Sequence, residues 1–133
     1  MMTCEFRATI LVADDEESLL SLMEIVITRE DKYRLLLARD GEEALAIARR
    51  EMPQLVIVDV SMPKLDGFEV CRQLKQDPAT AGIKVVLLTG FAQSSFQEQM
   101  AEAGADDVFP KPFDLSTFRE KLEGPCLGIT ANC

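Results

Sequence analysis

Histidine is missing from all 133 residues of this chain. Its absence excludes histidine general-base catalysis, a Ser-His-Asp triad and a phosphohistidine formed within the chain itself. It also makes a zinc site of ordinary spacing a poor reading, because Cys4, Cys71, Cys126 and Cys133 are scattered with no C-x-x-C pair. The four cysteines are read as reduced thiols. Basic residues are scarce: 14 Lys and Arg stand against 23 Asp and Glu, a net charge of -9. Nucleic acid and anionic membrane surfaces would repel such a chain, so neither is expected as a direct partner. No apolar run approaches the ~20 residues that cross a bilayer, and the N-terminus lacks the charged-then-apolar layout of a signal peptide. A soluble, cytoplasmic protein is expected.

The length suits one domain with a single core, and a hydrophobic content of 47% with no low-complexity tract calls for a folded body. Apolar, β-branched runs alternate with amphipathic segments five times, the pattern of a parallel sheet covered by helices on both faces. Strands are expected near residues 7–13, 33–38, 54–59, 83–89 and 107–110. The inner ones are almost continuously apolar, as strands covered on both faces require. Leu19, Leu22, Met23 and Val26 repeat at helical spacing and give residues 16–29 one apolar stripe. Asp40 with Glu43, and Asp66 with Glu69, read as D-x-x-E starts for helices over 42–51 and 67–76, the first ended by Pro53 and the second by Asp77-Pro78. A weaker helix over 94–103, with Phe96 and Met100 as its large apolar residues, ends at Gly104 and is the one best able to shift. Leu115, Phe118 and Leu122 dock a last helix over 115–123. The domain is expected over 1–123, with 124–133 as a tail or linker stub.

In open sheets of this kind, ligands sit beyond the carboxyl ends of the strands. At those ends the chain places Asp14 and Asp15, then Asp59, Thr89 and Lys111. Three carboxylates in one crevice need a cation to offset them, and oxygen donors without His or Cys select a hard ion such as Mg²⁺. A carboxylate-bound metal with open positions can hold phosphate oxygens, and a lysine beside it can neutralise one more, which is equipment for phosphoryl transfer. With neither histidine nor a strand-end cysteine, the nucleophile would be a carboxylate. Asp59, at the end of the central strand, is the best candidate.

The blocks LVADDEESL, LVIVDVSMPKLDGFE, VVLLTGFA and GADDVFPKPF resemble those of the receiver domain of two-component response regulators, over about residues 6–123. The intervals between Asp15, Asp59, Thr89 and Lys111 agree with that pattern. The resemblance implies a flavodoxin-like (βα)₅ fold of strand order 2-1-3-4-5, a signalling switch rather than an enzyme. It implies that Asp59 takes a phosphoryl group from a phosphohistidine on a sensor kinase or a histidine phosphotransfer protein. Asp14 and Asp15 would bind Mg²⁺, Asp15 directly, with a carboxylate oxygen of Asp59 and the backbone carbonyl of Ser61. Lys111 would pair with Asp59 before transfer and with phosphoryl oxygens after it, Lys111-Pro112 would be cis, and Thr89 would move toward the phosphoryl group. The output would be the face of the 94–103 helix, the 107–110 strand and the 115–123 helix, offered to a downstream target or output domain or used for homodimerisation.

Each residue also has a plainer reading. Asp14 and Asp15 suit a helix N-terminus, Thr89 a strand end, and Lys111 an exposed loop, while Pro63, Asp66 and Gly67 shape a turn and start a helix, and Phe113 and Phe118 suit a core. The joint spacing favours function. Where the family has an aromatic three residues before the lysine, this chain has Val108, and neighbouring Phe109 points to the opposite face of its strand. Ser61 and Phe91 occupy the two positions that shape hydrolysis in the family this chain resembles, so bulky Phe91 is expected to hinder the attacking water. Three rivals remain on the residues alone: a Mg²⁺-dependent aspartyl phosphatase, which would want an acid at Ser61; a flavodoxin-like FMN carrier, which would want a Thr/Ser/Gly loop instead of DDEE; and a receiver fold that binds partners without phosphate.

Overall fold

Leu55, Val56, Ile57 and Val58 are fully buried because they lie in the middle strand of a five-stranded parallel sheet. The computed structural model describes residues 8–28, 33–90 and 94–111, without the side chains of 28, 94–97, 100 and 110. Its elements are β1 (Ala8–Ala13), α1 (Glu17–Thr28), β2 (Tyr33–Ala38), α2 (Gly41–Glu51), β3 (Leu55–Asp59), α3 (Gly67–Gln76), β4 (Lys84–Thr89), α4 (Ser94–Ala103) and β5 (Asp107–Pro110). The strand order is β2-β1-β3-β4-β5, as expected, and element ends fall within a residue of the sequence reading. The helix expected over 115–123, the 124–133 tail and the Lys111-Pro112 bond lie outside the described residues.

Alternation along the strands divides the core. Ile10, Val12, Ile57, Val86, Leu88 and Phe109 pack with Leu20, Met23 and Ile27 of α1. Leu11, Val56, Val58, Val85 and Leu87 face the other way, onto Ala44, Leu45 and Ala48 of α2, Cys71 and Leu74 of α3, and Ala103 of α4. Val108 packs half-buried on this second face and Phe109 on the first, so the two residues diverge as strand geometry requires.

Both D-x-x-E signals mark real caps. Asp40 Oδ1 accepts from the Glu43 amide at 2.8 Å and Asp66 Oδ1 from the Glu69 amide at 2.9 Å. The return bond of the first is displaced by one residue, since Glu43 Oε1 accepts from the Arg39 amide at 2.7 Å. The end of α2 differs in mechanism from the expected proline stop. Met52 closes it in the left-handed region at φ 50°, its amide donating to the Ala48 carbonyl at 2.9 Å.

Below the sheet's working edge, Lys75 ties three segments together. Its Nζ donates to the Ile83 carbonyl at 2.6 Å and pairs with Asp106 at 2.8 Å, while Asp106 Oδ2 also accepts from the Val85 amide. Nearby, the fully buried Cys71 thiol donates to the Ala103 carbonyl at 3.3 Å, and burial pushes its pKa up to about 11. With thiolate suppressed and access closed, iodoacetamide at pH 8 is expected to leave Cys71 unmodified in the folded protein and to alkylate it in denaturant. Peptide mass mapping reads both states, and labelling of Cys71 in the native state would contradict this burial.

Candidate functional site

Four of the five strands each deliver one part of the crevice because parallel strands present all their carboxyl ends at the same edge of the sheet. Asp14 follows β1, Asp59 ends β3, Thr89 ends β4 and Lys111 follows β5. Hydrogen bonds hold these ends in register. The Asp14 amide donates to the Ala38 carbonyl, the Val60 amide to Leu88, and the Lys111 amide to Thr89 at 2.7 Å. Asp14 is fully buried, Asp59 7% exposed and Thr89 5% exposed, whereas Asp15 is open to solvent.

Asp14, Asp15 and Asp59 each offer one carboxylate oxygen, and the three oxygens lie within 4.8 Å of one another. Such an all-oxygen set suits a hard divalent cation. The three acids are not equivalent. Asp14 is occupied on both sides, Oδ1 by the Glu16 amide at 2.9 Å and Oδ2 by Lys111 Nζ at 2.7 Å. Asp59 Oδ2 lies 3.3 Å from the same ammonium, and its Oδ1 accepts from the Ser61 amide at 3.4 Å. Lys111 thus sits between two buried carboxylates and favours Asp14 by distance, a contact the sequence reading did not include.

The electrostatics follow from that arrangement. Burial and then the charge of Asp14 push the Asp59 carboxyl above its ordinary pKa, against the opposing pull of Lys111 and the Ser61 amide. For Lys111, burial acts to lower the pKa, but the hydrogen bond and charge of Asp14, helped by Asp59, outweigh it and hold the ammonium above its usual value. Lys111 is therefore a fixed positive charge at neutral pH.

All the strand-end residues singled out in the sequence meet here, and Ser61 lies on the loop that leaves Asp59. Phe91 and Pro112 are outside the described residues. Sequence reasoning missed Gly41, which braces that loop from the start of α2, and Lys64, which reaches from the loop to the cap of the same helix. Lys64 adopts φ 72° and its Nζ lies 3.6 Å from Asp40 Oδ2. An acidic N-cap two residues after the end of β2 gives no hint that a distant loop will dock on it.

Comparison with known proteins agrees with this geometry. The sequence model of the response regulator receiver domain matches residues 10–123. The response regulator PleD of Caulobacter vibrioides is 46% identical over 107 residues, covering 80% of this chain and 23% of PleD. The chain therefore spans about a quarter of that relative. Among solved structures, the chemotaxis response regulator CheY4 of Vibrio cholerae superposes with a TM-score of 0.81 at 26% identity, covering 88% of this chain and 97% of CheY4. The receiver domain of the sensor histidine kinase PA1611 of Pseudomonas aeruginosa, with magnesium coordinated in its active-site cleft, gives a TM-score of 0.81 at 25% identity over 92% and 98% of the two chains.

Proposed function

Because the chain belongs to the response regulator receiver domain family, we propose that it is a phosphorylation-controlled switch whose phosphoacceptor is Asp59. The observation that carries this reading is the convergence of three carboxylate oxygens within 4.8 Å on a lysine ammonium 3.3 Å from Asp59. Asp15, Asp59 and the Ser61 carbonyl would hold Mg²⁺, with Asp14 acting behind them because both its oxygens already accept hydrogen bonds. Bound there, the cation supplies charge neutralisation for the phosphoryl oxygens.

Asp59 attacks through a carboxylate oxygen: its O–P bond forms as the P–N bond of a donor phosphohistidine breaks, leaving an acyl phosphate on the chain. Partial desolvation leaves the Asp59 carboxylate less shielded by water, and the Lys111 ammonium beside it favours its ionised form against burial and the charge of Asp14. Lys111 then exchanges its contact with Asp59 for the new phosphoryl oxygens. Thr89, whose carbonyl already holds the Lys111 amide, would turn its hydroxyl toward the group and draw the following loop with it. Val108 is smaller than the family's usual aromatic, so the signal would reach the face of α4, β5 and the 115–123 segment by backbone displacement more than by a ring rotation.

On this reading the partners are a sensor histidine kinase or histidine phosphotransfer protein upstream and a protein target or output domain downstream, with homodimerisation through the same face as a further use of it. The domain comprises residues 1–123, followed by a tail or linker stub at 124–133, and works in the cytoplasm. No described helix is long and apolar enough to cross a membrane. The chain is a signalling domain rather than an enzyme acting on a separate substrate. The aspartyl phosphatase alternative lacks its second acid, since Ser61 stands there.

Intact mass measurement after incubation with Mg²⁺ and acetyl phosphate tests the proposal. A single phosphoryl adduct is expected, absent when EDTA replaces Mg²⁺. A parent chain that gains no adduct from either a small donor or a phosphorylated histidine phosphotransfer domain would instead be a receiver fold that binds partners without phosphate.

A further inference from the structure

The loop between Asp59 and α3 is held at both ends by close approaches that a Cβ would forbid. At its near end, Gly67 donates its amide to the Val60 carbonyl at 3.0 Å, and a Cβ on Gly67 would stand 2.4 Å from the Asp59 carbonyl oxygen. At its far end the contact is with another element. A Cβ on Gly41, the first residue of α2, would stand 2.2 Å from the Leu65 carbonyl oxygen and 2.5 Å from Leu65 Cβ. Neither glycine has a positive φ, so both positions demand space and not conformational freedom. The Gly41 obstacle includes backbone, which cannot swing aside as the end of a flexible side chain could. Gly41 also donates its amide to the Pro63 carbonyl at 3.5 Å, and Lys64 crosses to Asp40, the cap of the same helix, at 3.6 Å.

We propose that the α2 N-terminus, through Gly41 and the Asp40–Lys64 pair, is a positioning clamp that sets the 60–66 loop, and with it Ser61, for the divalent cation. Gly41 has no atom that could touch a phosphoryl group and is a positioning residue only. This inference rests on Ser61 being a cation ligand, the reading given above. Relieving a 2.2 Å contact to ordinary van der Waals distance needs a loop shift of about 1 Å, and misplacements of that size cost on the order of 100-fold where geometry is demanding.

The test compares Gly41→Ala and Lys64→Ala with the parent and with Gly82→Ala, whose added Cβ meets nothing within 4 Å. Mg²⁺ affinity is measured by calorimetry without any phosphodonor, and amide exchange at Leu65 and Gly67 is followed in EDTA. Gly41→Ala is expected to weaken Mg²⁺ binding at least tenfold and to speed exchange at both amides, with Gly82→Ala matching the parent. Lys64→Ala, exposed and safe for folding, is expected to weaken Mg²⁺ a few-fold. The sign is decisive, because loss of a nearby positive charge acting through the field alone would strengthen cation binding. A folded Gly41→Ala with parental Mg²⁺ affinity, or a Lys64→Ala that binds Mg²⁺ as well as or better than the parent, overturns the clamp. A parent that binds no Mg²⁺ overturns the underlying reading instead.

Discussion

Asp59→Asn is expected to lose the phosphoryl adduct completely and yet, in metal-free buffer at pH 7, to melt at a higher temperature than the parent. The functional half follows from chemistry, because an amide nitrogen or carbonyl in that place is no nucleophile for phosphorus. The stability half follows from the direction of the Asp59 pKa, which burial and Asp14 raise more than Lys111 and the Ser61 amide lower it. A carboxyl with a raised folded-state pKa holds its proton more tightly folded than unfolded. Its contribution to stability is therefore full below the unfolded value, is lost as pH rises through the folded value, and leaves the ionised group unfavourable at neutrality. Asparagine removes that penalty and keeps the shape. An increase of about 4 °C, corresponding to ~1 kcal/mol in a domain of this size, is expected by thermal melt, and the gap between variant and parent should shrink on acidification. Adding Mg²⁺ should raise the melting midpoint of the parent and move the variant far less. A variant less stable than the parent at pH 7 would mean that the Lys111 pairing outweighs burial, the reverse of the balance described.

This tension between stability and site also explains what the sequence could and could not reveal. The sheet was legible because its inner strands have no polar side: a run such as Leu55–Val58 fits only where both faces are covered. The caps at Asp40 and Asp66 were legible because their partners lie three residues away. The site was legible through motif spacing, and physics alone pointed the same way, since three acids and a lysine at strand ends have few other uses. What stayed hidden depends on partners distant in the chain. The preference of Lys111 for Asp14 joins residues 97 positions apart, and it turns on a difference of a few tenths of an ångström. Gly41 reads as an ordinary start of a helix until Leu65 is seen against it. Met52 and Lys64 have positive φ though neither is glycine or asparagine, so residue type gives no signal for it: Met52 adopts it as the cap of α2, and Lys64 in the loop that reaches Asp40.

Lys111→Met should show the opposite behaviour to Asp59→Asn, because it takes away the ammonium that, among the described residues, lies between Asp14 and Asp59. The methionine keeps most of the apolar stem, so the lost packing is small. What changes is that two buried carboxylates now face each other with no counter-charge. Breaking a buried ion pair by deleting one partner costs roughly 3–5 kcal/mol, and because the Lys111 side chain is 23% exposed a discounted loss of about 2 kcal/mol is expected at pH 7 in EDTA. That corresponds to a fall of roughly 8 °C in the melting midpoint. Mg²⁺ should restore more stability to this variant than it adds to the parent, since the cation replaces the missing charge and no longer competes with the ammonium for Asp14. Combining the two substitutions closes the argument as a double-mutant cycle. If repulsion between Asp14 and Asp59 is what Lys111 suppresses, Asp59→Asn must stabilise the Lys111→Met background more than it stabilises the parent. Equal gains in the two backgrounds would show that Lys111 serves Asp14 alone, and that its 3.3 Å approach to Asp59 contributes nothing until phosphate arrives.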